Sequence, residues 1–340
     1  MHAAEMKALI QLHDGYANTQ TGPNIDDLSP FVALQDVPVP TPGDGQALIK
    51  VHLAAVNPSD IHFIKGEYGQ PRVKGMPAGF EAVGQVVAGD TPLMGQRVSF
   101  FASASGAWAE YAMTDAARLI PCRPDLAETD AAGQLVNPLT AIAMFDLVKE
   151  SGAESFVLNA AGSQLGKLLI VLGRDHGIAP IAVVRRAAQA DMLRALGAAD
   201  VIVTGEEDPV EAARAIFKAS KPRILLDAVG DQVTADLFFA MPSHAVWVNY
   251  GKLATEAPRL TQLGQMIFQN KRIEGFWLTR WMQQVDPARI PAAFAEIQER
   301  FVTGKWTTDV AGIVPLSDAM TQLPQVLAKL DGKAFIDPRQ

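Results

Sequence analysis

Apolar and polar positions change rhythm once along the chain. From Lys7 to about Arg118 the apolar residues come in short β-branched or alternating runs, KALIQL, ALIKVHLAAV, EAVGQVVAG, QRVSFFA and GAWAEYAMT, separated by clusters such as VPVPTPGDG. Period-two alternation with proline and glycine punctuation predicts a compact, mostly β domain with long loops. After RLIPCRPDL the runs lengthen into ESFVLNA, SQLGKLLIVLGRDHG, IAPIAVV, QADMLRALGA and DVIVT, with ILLDAVG and AVWVNYG further on. Buried strand runs alternating with helix-length stretches predict a doubly wound parallel sheet. From about Pro287 two amphipathic helices and a last apolar strand, KAFID, are expected to return to the first domain. The expected division is residues 1–126, 127–283 and 284–340, the first and last parts forming one domain.

With 340 residues, 49% of them apolar, the chain is long enough to bury two ordinary cores. A formal net charge of -8 gives no general attraction for nucleic acid or an anionic membrane. An anionic ligand therefore has to be held by a few well-placed Arg or Lys. One cysteine, Cys122, excludes an intrachain disulfide and a four-thiolate zinc site, and it suits a reducing compartment. MHAAEMKALIQLHDG lacks the basic-then-apolar order of a leader, and no apolar run approaches the roughly 20 residues of a membrane span. A soluble, cytoplasmic protein is expected.

The strand ESFVLNA runs into Ala160, Ala161, Gly162, Ser163, Gln164, Leu165 and Gly166, and then an apolar helix. A dinucleotide pyrophosphate meets backbone N–H groups at such a positive helix end. The usual G-x-G-x-x-G fingerprint reads here with Ala160 and Ser163 ahead of Gly166, small residues that still permit close approach. The next strand, PIAVV, ends in Arg185 and Arg186, where an NAD-binding enzyme carries an acid for the ribose 2′-hydroxyl. Two cations there suit the 2′-phosphate of NADPH, held by either arginine; a solvated arginine pair at a strand end is the alternative.

The β-rich first part, the turn ending Leu165-Gly166, LRALGAADVI and the closing GKAFIDP resemble the medium-chain dehydrogenase/reductase superfamily over nearly the whole chain. NPSDI followed by Gly66 and Tyr68, NPLTAIAM from Asn137, NYG from Asn249 and GFWLTRW from Gly275 resemble its zinc-free branch, most closely the NADPH-dependent 2-enoyl thioester reductases. Quinone reductases share the first part and the turn. The resemblance implies a GroES-like β-rich catalytic domain, an inserted Rossmann domain, and NADPH in the cleft between them. In the zinc alcohol dehydrogenases a cysteine precedes an Asp near Asp60, a His-Glu pair falls at Phe80-Glu81, and a four-cysteine lobe follows. Ser59 and Phe80 stand there instead and nothing resembles the lobe, so no metal is expected and Glu81 is read as a structural hydrogen-bonding residue. His62, where the reductases carry asparagine, is read as a solvated loop histidine.

Without a Lewis acid, stabilising an alkoxide is difficult, which disfavours simple alcohol oxidation. Conjugate reduction escapes that need: hydride adds to the β-carbon of an enone or enoyl thioester, charge spreads onto the carbonyl as an enolate, and a proton must reach the α-carbon. Tyr68 is the candidate donor, since a tyrosine with a reference pKa of about 10 stays protonated at neutral pH. A bare loop-capping tyrosine is the alternative. The resemblance carries cofactor contacts onto Asn137, Gly162, Ser163, Gln164, Leu165, Gly166, Arg185, Arg186, Tyr250, Gly251, Lys252, Leu253, Phe276, Trp277, Leu278, Thr279 and Lys333. It carries the substrate pocket onto Asn57, Tyr68, Phe276 and Trp277. Phe276 and Trp277 read equally as core aromatics, and Lys333 as a surface charge. An NADPH:quinone oxidoreductase is the rival reading, and a non-catalytic NADPH-binding sensor or crystallin-like protein is the rival from another class. The expected partners are a small-molecule substrate (enoyl thioester, enone or quinone) and a second copy of the chain. Relatives pair the last strands of their Rossmann sheets across a two-fold axis, and AVWVNYG is apolar enough to lie near such an edge.

Overall fold

The computed structural model describes residues 4–102, 105–205, 208–329 and 332–340. Two compact units emerge, Met1–Asn137 with Phe294–Gln340, and Pro138–Ala293. The chain passes between them inside two helices, Val136–Glu150 and Arg289–Val302.

The first unit is built around one long strand, Gln46–Val56, whose alternating residues bury one side after the other. It pairs antiparallel with Glu81–Gly89, Tyr111–Asp115 and Lys333–Asp337 within a seven-stranded sheet. A separate hairpin-like pair, Glu5–Gln11 with Val32–Pro38, lies outside that sheet. The core is β-branched and aromatic, with Ile49, Val98, Phe100 and Trp108 fully buried; burying a side chain of that size is worth about 1.5–3 kcal/mol. KAFID is buried at all five positions, as a strand closing an interior sheet must be. Its register sets Ala334 opposite Val56, so Lys333 arrives beside Asn57.

In the second unit six parallel strands lie in the spatial order Asp200–Val203, Ala179–Val184, Ser155–Leu158, Ile224–Asp227, Val246–Asn249 and Arg272–Gly275. Numbered along the chain this is 3-2-1-4-5-6, the doubly wound dinucleotide-binding arrangement, with its crevice between the first and fourth strands. Val157, Ile181, Leu225 and Trp247 fill the interior together with Phe217 and Phe238 from the covering helices. Val246–Asn249, from the AVWVNYG run, lies next to the edge, and the edge itself is Arg272–Gly275, exposed at all four positions. Periodicity does not reveal that strand because charged Arg272 and Glu274 flank its one large apolar residue, Ile273. Among the described residues no helix is long and apolar enough to cross a membrane.

Candidate functional site

In the first unit the segment NPSDI is helical, with Pro58 opening Pro58–Ile64. Asp60 accepts the backbone N–H of Asn57 at 2.7 Å and that of Phe80 at 2.8 Å, stitching the helix start to the head of the next strand. Burial pushes the Asp60 carboxyl up to about 7 despite the bond from Asn57, and the Glu81 charge adds to the rise.

Glu81, equally buried, takes four hydrogen bonds. Oε1 accepts from Asn57 Nδ2 at 2.8 Å and Lys333 Nζ at 3.2 Å. Oε2 accepts the N–H groups of Leu135 at 3.0 Å and Val136 at 2.9 Å, where Val136–Glu150 begins and presents partial positive charge. Lys333 Nζ also donates to Asn57 Oδ1. Lys333 is therefore a buried ion-pair partner and not a surface charge. Both Glu81 oxygens are occupied, Phe80 has no donor atom, and among the described residues no cluster of three or more His, Cys, Asp or Glu could hold a metal ion. These residues do not fit a zinc centre.

The Phe80 ring packs 5.2 Å from the Tyr68 ring and 5.0 Å from Phe63, centroid to centroid, with Phe63 meeting Tyr68 edge-on at 6.5 Å. Tyr68 is half-buried on the loop that follows the helix. His62 corrects the solvated-loop reading: it lies on the helix at 5% exposure, its Nδ1 3.4 Å from Glu67 Oε2.

In the second unit Ser155–Leu158 leads through the small-residue turn into Gln164–His176. Ala160 sits at φ 46°, in the left-handed region where an alanine costs energy that glycine would not. Ser163 Oγ accepts the Gly166 N–H at 3.1 Å and caps the helix. A Cβ on Gly166 would lie 2.6 Å from the Ala161 carbonyl oxygen, and one on Gly162 would lie 2.4 Å from Gln189 Nε2. The turn is thus a close-packed run of small residues at the positive end of a helix, with the Gln189 amide against Gly162. Arg185 and Arg186 follow Ala179–Val184, exposed and without an ion-pair partner among the described residues. Such a cradle with two uncommitted cations fits a dinucleotide pyrophosphate and a 2′-phosphate.

Beneath that turn Asp227, fully buried, accepts five hydrogen bonds, all from neutral donors. Asn159 Nδ2, Val229 N and Gly230 N reach Oδ1; Trp247 Nε1 at 2.7 Å and Asn249 Nδ2 at 2.8 Å reach Oδ2. Asn159 follows the first strand and Asp227 ends the fourth, so this bond spans the crevice.

The predicted residues of this unit gather at the C-terminal edge of one sheet. Tyr250, Gly251, Lys252 and Leu253 follow Val246–Asn249, with Tyr250 N donating to Asp227 O at 2.9 Å and Leu253 N to Ala228 O at 3.1 Å. Burial, and then the Asp227 charge, hold the Tyr250 hydroxyl above the usual tyrosine range. Phe276 N donates to Asn249 O at 2.8 Å, Trp277 precedes Leu278–Gln284, and Leu278 and Thr279 open that helix. Phe276 and Trp277 are half-buried. Asn57, Tyr68, Asn137 and Lys333 belong to the first unit. Sequence reasoning missed Glu67, Asn159, Gln189 and Asp227. Only Asp227 left a trace, as the lone charge in the buried run ILLD.

Residues 43–124 match the family model of the alcohol dehydrogenase GroES-like domain, and residues 165–299 that of the zinc-binding dehydrogenases. A Mesorhizobium loti protein assigned as an NADPH:quinone reductase is 46% identical, with a TM-score of 0.94 over 99% of this chain and 100% of that one. Mitochondrial enoyl-[acyl-carrier-protein] reductase of Bos taurus is 28% identical over 94% of this chain and 85% of its own length. The same enzyme of Homo sapiens is 27% identical over 99% and 88%.

Proposed function

The chain belongs to the medium-chain dehydrogenase/reductase superfamily, and from that premise we propose that it is an NADPH-dependent, zinc-independent reductase of activated carbon–carbon double bonds, with 2-enoyl thioesters as leading substrates. The observation that carries this reading is the packing of Phe80 against Tyr68. Where the zinc-dependent relatives hold a metal ligand, this chain holds a ring that braces a tyrosine. When bound, NADPH supplies the hydride. Tyr68 supplies the proton that the α-carbon then needs, Phe80 and Phe63 orient its ring, and the residue 160–166 turn with Arg185 and Arg186 retains the cofactor's phosphates. Quinone reduction remains the second reading, favoured by the assignment of the 46% identical relative.

One assay separates the two. NADPH oxidation is followed with crotonyl-CoA, trans-2-hexenoyl-CoA and a naphthoquinone, for wild type and Tyr68→Phe. The variant keeps the ring and loses only the hydroxyl, so enoyl thioester turnover falls roughly 10²–10⁴-fold, the range for a positioned general acid. Quinone turnover changes little, because a reduced oxygen takes its proton from solvent. Wild-type rates with crotonyl-CoA in the variant would leave quinone reduction as the function.

The proposal includes a homodimer in the cytoplasm. Arg272–Gly275 is an open, exposed edge, and Leu263, Ile267 and Phe268 beside it in sequence are 57%, 75% and 85% exposed. Arg272 and Glu274 flank Ile273 symmetrically, so antiparallel pairing of two copies about Ile273 would set each arginine against the other copy's glutamate. Light scattering at micromolar concentration is expected to give twice the chain mass, and Ile273→Lys with Phe268→Asp to give a monomer. A wild-type monomer would remove the dimer and leave the chemistry intact.

A further inference from the structure

The loop carrying Tyr68 is anchored by three buried charged residues, Lys65, Glu67 and Arg72, that no step of the reaction uses. The chain turns at Gly66, φ +78°, where a Cβ would lie 2.6 Å from the Arg72 guanidinium carbon and 2.7 Å from the Ala17 nitrogen. That guanidinium donates to the carbonyls of Asp14, Gly15 and Ile64 and closes the loop from behind. Lys65 and Glu67 flank Gly66, and both reach the same irregular segment of the chain. Glu67, whose side chain is 0% exposed, accepts from Thr19 Oγ1 at 3.0 Å, Thr21 N at 2.8 Å and Thr21 Oγ1 at 2.9 Å, all at one oxygen. Its other oxygen faces His62 Nδ1 at 3.4 Å. Lys65 Nζ donates to Thr21 Oγ1 at 3.2 Å and to the carbonyl oxygens of Gly22 and Asn24. The Thr21 hydroxyl therefore links ammonium to carboxylate. Burial alone would raise the Glu67 carboxyl; the bonds from Thr21, Thr19 and His62 outweigh it and bring it to about 2.

Buried charges are costly to desolvate, and a merely structural loop is held as well by apolar packing. A buried carboxylate held at one oxygen by three donors instead selects one backbone conformation. We propose that Glu67 is a positioning residue for the reaction: gripped by Thr19, Thr21 and His62, it fixes the loop so that the adjacent Tyr68 hydroxyl is held where the substrate α-carbon is protonated. This rests on Tyr68 being the proton donor.

The test is a double-mutant cycle of Glu67→Ala and Tyr68→Phe, read as kcat with crotonyl-CoA, with Glu67→Gln as the conservative variant and NADPH affinity measured by fluorescence. A misplacement near 1 Å costs up to a factor of ~10², so Glu67→Ala is expected to lower kcat about 10–100-fold with NADPH affinity unchanged. Glu67→Gln recovers most of the rate, because its amide oxygen still accepts the three bonds from Thr19 and Thr21. In the Tyr68→Phe background Glu67→Ala costs nothing further. An equal loss in that background, or no loss from Glu67→Ala while Tyr68→Phe is impaired, overturns the positioning role alone. A harmless Tyr68→Phe overturns the proton-donor reading and the positioning role with it. Should Glu67→Ala fail to fold, Thr21→Val, which removes the linking hydroxyl and keeps the carboxylate, is expected to lower kcat in the same Tyr68-dependent way, and an unchanged kcat overturns the proposal.

Discussion

Glu81 and Asp227 are both carboxylates at 0% exposure, one in each unit, and they are accommodated by opposite means. Glu81 is met by an ammonium, Lys333, and by the start of a helix. Asp227 is met by amides, an indole and backbone N–H groups, with no cation among the described residues. The first arrangement ties together segments that are distant along the chain, residues 57, 81, 135 and 333, and spends its cation internally. The second joins the ends of the first, fourth and fifth strands of one sheet, and Arg185 and Arg186 stand exposed with no ion-pair partner among the described residues. A unit that must bind a polyanion gains from that economy, because a cation already neutralised by an internal carboxylate has little field left for a ligand.

The largest expected effect follows from breaking the ion pair. Lys333→Met leaves Glu81 buried without its counter-charge and is expected to cost about 3–5 kcal/mol of unfolding free energy by denaturant titration. Adding Glu81→Gln recovers part of that loss. A loss under 1 kcal/mol would make the lysine dispensable and the helix start the main partner of Glu81. The matching change in the second unit, Asp227→Asn, is expected to cost about 3 kcal/mol, since an amide nitrogen turns a donor toward groups that are already donors. No companion cation substitution is expected to rescue it, as no cation meets Asp227 among the described residues. The smallest effect separates internal from external charge: Arg185→Ala weakens NADPH binding by about 1.5–3 kcal/mol in calorimetry and leaves stability and NADH affinity nearly untouched. Arg186→Ala is measured alongside, because either arginine can hold the 2′-phosphate. A wild-type preference for NADH would undo the contrast.

What the sequence determined is what neighbours in the chain decide. The change from period-two runs to alternating strand and helix follows from residues a few positions apart, and so do the small-residue turn at 160–166 and the arginine pair closing Ala179–Val184. The proton-donor candidate Tyr68 came instead from the resemblance of NPSDI, Gly66 and Tyr68 to the enoyl thioester reductases; on local pattern alone it reads equally as a loop tyrosine. Tertiary structure decided which charges meet. Lys333 and Asn57 are 276 positions apart, Thr21 and Glu67 are 46 apart, and Asn159 and Asp227 are 68 apart. No periodicity or composition links such pairs. It likewise turned His62 from a solvated loop residue into a buried helical one, and set Arg272–Gly275 at the sheet edge although its residues read as polar. The physical reason is range: hydrophobic period and turn chemistry act within a few residues. The partner of a buried charge is chosen only once strand register has brought distant segments within hydrogen-bonding distance, where leaving the charge unpaired would cost more than the pairing does.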